Sequence, residues 1–244
     1  MSSSFQYYPI ESFPIDPVLS REWKSSFQLL LPEETIAADA QSRVKYLGVS
    51  SFHDYHKYYV RHETLRNAWI RIDHQDRKSV IFVEEFHVFI PPNFTYALLR
   101  TKAEVATEFM NRLRQRSSEF SYKIRKIDLD ALKRDLQPQV RGGWFKDLEI
   151  QDVKTAAIFG ANVSESDEWE KYESYGTLAS LVIEFRDIDE RLHSVGINSA
   201  GSITLVGNYE ESHALELAEK FNNILMKYQE ELDPRHPRGS KKKA

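Results

Sequence analysis

The sequence predicts an α+β protein made of two pseudo-repeats. Each runs strand, helix, four strands, helix, with antiparallel sheets carrying their helices on one face. Three observations lead there. The chain matches itself when shifted by about half its length. Short apolar runs with strand-like alternation are separated by glycine-, proline- or acid-containing turns. The two best helix patterns close the two halves.

The self-match is clearest between the helices expected over 102–116 and 212–229. At a shift of 112 residues Glu104 falls on Glu216, Ala106 on Ala218, Phe109 on Phe221, Asn111 on Asn223 and Leu113 on Leu225. Ala106, Phe109 and Leu113 also share one helix face. Weaker matches follow in chain order. Tyr46-Leu-Gly48 meets Ile158-Phe-Gly160, Ile70-Arg-Ile72 meets Ile183-Glu-Phe185, and Ser79-Val80 meets Ser194-Val195. The expected units are residues 1–118, residues 119–232, and a mobile basic tail over 233–244.

In the first copy a strand over 5–10 leads to a helix over 17–25, where Asp16 before Pro17 offers an N-cap with proline at the first helical position. Strands follow over 43–51, 68–73, 79–90 and 95–100. The stretch 52–66 is read as an excursion between strands. Pro91-Pro92 requires a wide turn. In the second copy a strand over 122–127 precedes a helix over 129–136. Strands follow over 154–162, 179–186, 193–198 and 202–207, with Ser199-Ala-Gly201 as a hairpin turn.

Composition bounds the function. Hydrophobic residues make up 41% and aromatics 12%, enough apolar content for an ordered chain. Net charge is −4, so bulk electrostatics does not draw the protein to nucleic acid or anionic lipid. The absence of cysteine excludes disulfides, thiolate-held metal clusters and a cysteine nucleophile. No apolar run approaches the ~18 residues of a membrane span. The opening MSSSFQYYPIESFPID lacks a basic segment followed by an apolar one, so a cytoplasmic location is expected. Walker, Gly-x-Gly-x-x-Gly, Gly-x-Ser-x-Gly and His-Glu-x-x-His patterns are missing, which argues against an enzyme, and no cofactor is expected.

The stretch Ser194-Val-Gly-Ile-Asn-Ser-Ala-Gly-Ser-Ile-Thr-Leu-Val-Gly207, followed by an acidic-start, alanine-bearing helix to Leu225, resembles the closing hairpin and helix of the TATA-binding-protein (TBP) family. The element order of the two copies is similar to that family as well. The resemblance implies a curved antiparallel sheet per copy, with helices on the convex side. The strands of the second copy carry Glu184, Asp187, Asp189 and Glu190 rather than a basic face. The expected partner is therefore a protein before a nucleic acid.

Three local patterns compete for a functional role. Arg141-Gly-Gly-Trp-Phe145 reads either as a binding loop or as a turn between helix and strand. In the first case Arg141 meets an anion and Trp144 and Phe145 enter a partner's pocket. In the second both aromatics anchor the core. The basic region over 100–126, with Arg112 and Arg116, and the lysine-rich tail offer a nucleic-acid surface. His53, His56 and His62, beside Asp54, offer a metal site for a metal-dependent enzyme. Acidic residues over 165–190 facing the basic region would suit a homodimer. The leading expectation is a non-catalytic binding protein that presents a two-lobed sheet surface to a protein partner.

Overall fold

The computed structural model describes residues 3–13, 21–25, 40–72, 74–136, 139–186 and 191–232. The basic tail lies outside them. The chain divides into two compact units, residues Ile10–Tyr122 and residues Met1–Pro9 with Lys123–Ala244. The architecture is α+β with antiparallel sheets. No helix among the described residues is long and apolar enough to cross a membrane.

The first strand, β1 (Ser3–Ser12), runs from one unit into the other. In the Ile10–Tyr122 unit follow β2 (Arg21–Ser25), β3 (Ala40–Val49), β4 (His56–Ile72), β5 (Gln75–Ile90), β6 (Tyr96–Arg100), α1 (Ala103–Arg116) and the short β7 (Ser121–Tyr122). Strands β2 to β6 form an antiparallel meander in chain order. Helix α1 packs on it, with Phe109 edge-on to Phe86 at 5.4 Å. Val60, Phe86, Val88, Leu99, Val105, Ala106 and Met110 complete a dry core.

Two expectations fail in this unit. A helix was expected over 17–25, yet residues 21–25 form β2, paired with β3 from Arg21↔Val44 to Ser25↔Ala40. The edge of β3 offers backbone partners that a short helix would leave unused, and such pairing overrides local propensity. Residues 52–66 are no excursion. Ser50 N–H donates to Tyr55 O at 2.7 Å across a tight turn in which His53 and Asp54 take left-handed φ of 43° and 56°. From His56 the chain is strand β4.

The second unit continues with β8 (Ile124–Ile127), α2 (Leu129–Leu136), β9 (Gln139–Ile150), β10 (Val153–Phe159), α3 (Asp167–Tyr175), β11 (Thr177–Arg186), β12 (Leu192–Asn198), β13 (Ile203–Val206), α4 (Glu211–Leu225) and β14 (Gln229–Leu232). Its sheet runs β10-β9-β11-β12-β13-β1. The strand β14, which pairs with β8, was not expected. Helix α2 is capped by Asp128, whose Oδ1 accepts from Ala131 N–H at 2.9 Å. Ser166 caps α3 by accepting from Trp169 N–H. Leu181, Ile183, Val195, Ile197, Ile203 and Leu205 alternate inward along the strands, and Ala214, Leu215, Ala218, Phe221 and Leu225 of α4 belong to the same buried set. Arg125 is buried too. It donates to Asn222 Oδ1 and Gly201 O, and its guanidinium lies 4.3 Å from the centre of the Tyr7 ring. Burial lowers its pKa to about 10, which leaves it charged at neutral pH.

Candidate binding face

Strand alternation puts a second set of side chains on the other face of the sheet in this unit. There Ser4 pairs with Thr204, Thr204 with Gly196, Gly196 with Val182, Val182 with Gly142 and Gly142 with Phe159, in one row across six strands. The neighbouring row holds Ala157, Trp144, Ser180 and Asn198. The helices pack on the opposite face, where Trp169 of α3 meets Phe145 edge-on at 4.9 Å. A Cβ on Gly143 would lie 2.6 Å from the Trp169 ring, so α3 sits close against the strand at that point.

The open face carries one exposed aromatic pair. Trp144 and Phe159 are 42% and 56% exposed, and their rings meet edge-to-face at 4.5 Å. The Phe159 ring lies over Gly142, where any Cβ would collide with it. Beside this pair Arg141 Nε meets Glu184 Oε1 at 3.1 Å, and Ser194 Oγ reaches the same carboxylate oxygen at 3.5 Å. The register of β9 on β11 shifts between Val182 and Ile183, which brings Arg141 to the Glu184 side.

Residues 141–145 are thus neither a loop nor a helix-to-strand turn. They lie within β9. Trp144 and Arg141 reach the open face, but Phe145 is 1% exposed and belongs to the core. Adjacent residues of a strand point to opposite faces, so Trp144 and Phe145 cannot both be presented to a partner. Phe159 was not anticipated. The segment Lys154-Thr-Ala-Ala-Ile-Phe159 has no polar–apolar alternation that would single out its outward residue.

The other anticipated residues are placed elsewhere. Arg112 is buried under the sheet of its unit. Its Nη1 donates to Ser42 Oγ at 2.6 Å and lies 3.2 Å from His62 Nδ1, and its Nη2 donates to Glu63 O at 2.9 Å. It is therefore not a surface cation. The Arg116 side chain lies outside what is described. His62 is fully buried, with Nδ1 2.7 Å from Ser42 Oγ. Because Arg112 can only donate, Nδ1 is the acceptor and Nε2 carries the ring proton, 4.0 Å from Glu108 Oε2. Burial first, and then the Arg112 charge, lower the His62 pKa to about 4. Ser42 and His62 resemble a nucleophile and its base, but neither reaches solvent and the imidazole is a poor base.

His56 bonds the Tyr46 hydroxyl at 3.2 Å and stacks on Phe94 at 5.1 Å. His53 stacks on Phe52 at 4.3 Å in the turn. The three histidines do not gather as a ligand set, and among the described residues no group of three or more His, Asp or Glu side chains is placed to hold a metal ion. Their dispersal follows from strand geometry. His56 and His62 are six residues apart on an extended chain, roughly 20 Å, far beyond the span of one coordination sphere. Comparison of the chain with protein-family models and with curated proteins finds no match.

Proposed function

We propose that this is a non-catalytic binding protein whose contact surface is the sheet face that carries Trp144 and Phe159 and no helix among the described residues, and that its partner is a protein segment. The observation that carries this reading is the exposed aromatic pair, Trp144 and Phe159, on the paired strands β9 and β10, with Gly196 further along the same row of the sheet. Rigid aromatics on regular elements are favoured binding anchors. On this face the Arg141 charge is cancelled by Glu184, which makes that pair a poor match for a phosphate backbone. The basic helix region loses much of its appeal as a nucleic-acid surface once Arg112 is committed inside.

The two-copy reading gains support from order in each unit. Strands β3-β4-β5-β6 lead to α1, and β11-β12-β13 lead to α4. Sheet position differs, however, for the segments matched by sequence. β3 is second from its edge, while β10 is the edge strand with β9 inside it. A TBP-like arrangement remains our proposal for the ancestry of the fold, with the Trp144 face as the surface such an arrangement leaves open.

The test selects peptides from a displayed random library on the full chain. Recovered peptides are titrated by fluorescence anisotropy against wild type, Trp144→Ala and Phe159→Ala, with labelled single- and double-stranded DNA and RNA in parallel. Peptides that lose about tenfold or more in affinity with either variant are expected. Peptides indifferent to both variants would overturn this reading. So would nucleic-acid binding that persists at physiological salt.

A further inference from the structure

We infer that the outer edge of β5 is a self-association strand, which pairs antiparallel with β5 of a second copy about a two-fold axis at Ile81. β5 spans 16 residues, but β6 pairs with it only from His87 to Phe89. Between residues 75 and 86 its one strand partner among the described residues is β4, so the other edge presents its backbone N–H and C=O groups to solvent. This stretch contains the run Val80-Ile-Phe-Val83, in which Phe82 and Val83 are 43% and 45% exposed.

Edges are normally guarded by proline, a bulge or interspersed charge. Residues 78–84 of β5 have no proline or glycine, and their pairing with β4 is regular up to Ser79. The outer edge of β4 is better guarded. It carries Glu63 and Arg66, and its register breaks between Asn67 and Ile70.

The charges select the occupant. Lys78 and Glu84 flank the apolar run, each three residues from Ile81. When a strand pairs antiparallel with its own copy about Ile81, Lys78 falls opposite Glu84 of that copy and Phe82 opposite its Val80. Opposed residues share a face, so each contact is made twice in an isologous interface. An unrelated strand has no reason to carry this pattern, whereas a second copy must. The inference is independent of the binding face proposed above, which lies in the other unit.

The test is sedimentation of the full chain over a wide concentration range. Wild type is expected to reach twice the chain mass. Lys78→Glu and Glu84→Lys should each weaken the dimer by about tenfold, since each replaces two attractions by two repulsions. The combined K78E/E84K chain should regain the wild-type constant, which also shows that the single variants fold. The chain has no cysteine, so Ile81→Cys should cross-link to its own copy under mild oxidation. Val83→Cys, displaced from its counterpart by about 13 Å, should not. A wild type that stays monomeric, assemblies beyond the dimer, a double variant no tighter than the singles, or an Ile81→Cys chain that fails to cross-link would overturn the inference.

Discussion

The Phe159 ring lies over the bare backbone of Gly142 and meets the Trp144 ring edge-to-face at 4.5 Å. One glycine therefore fixes the position of an exposed aromatic pair, and the pair can be tested without disturbing the core.

Trp144→Ala and Phe159→Ala should each leave the protein folded, at a cost of about 1 kcal/mol or less, because both rings are already substantially in water. Urea unfolding measures this cost. A loss of several kcal/mol in either variant would mean that the pair is structural.

Gly142→Ala places a methyl against the Phe159 ring. It should destabilise by about 1–2 kcal/mol through overpacking. In a chain that also carries Phe159→Ala the same change should cost less, since only the Ile158 carbonyl oxygen at 3.1 Å is then left to give way. Thermal unfolding of the four proteins in the cycle gives the coupling, and additive effects would contradict the close approach.

Arg112→Ala should cost about 2–4 kcal/mol, since it leaves the buried Ser42 hydroxyl and the Glu63 carbonyl without this donor. Lys102→Ala, which removes an exposed pairing with Glu84 at 3.6 Å, should cost well under 1 kcal/mol. Comparable losses in the two variants, measured by urea unfolding, would show that the Arg112 network is not the stronger element.

His62 supplies a pH dependence. The native imidazole is held uncharged until about pH 4, chiefly by burial and then by the Arg112 charge, whereas the unfolded side chain titrates near 6.5. Between these values the unfolded state binds more protons. Stability should therefore fall as pH drops from about 6.5 to about 4, by roughly 3 kcal/mol in all, with this group adding no slope above or below that window. His62→Gln should remove this part of the slope. Identical pH profiles for the two proteins would refute the assignment.

The helices α2 and α4 were legible because their apolar period is local. The binding face was legible only in part. Trp144 and Phe145 look alike in composition, and what separates them is the strand state of 139–150, which sheet pairing decides. Phe159 was invisible because its meaning depends on Gly142 in the adjacent strand. Arg112 read as a surface cation because its partners Ser42 and His62 come from two other strands. The length of β4 was hidden by its histidines and tyrosines, which resemble a polar excursion until Ser42–Val49 is seen pairing alongside.

Residues 3–5 of β1 pair with residues 203–205 of β13, and the whole Ile10–Tyr122 unit lies between them in the chain. A growing polypeptide therefore makes one strand of this sheet long before its neighbour exists. The Ile10–Tyr122 unit has its strands and α1 within one continuous stretch and can assemble as it emerges. The other unit must hold its first strand open until the hairpin ending at Val206 is made. Its closure crosses about two hundred residues, the kind of non-local pairing that slows folding.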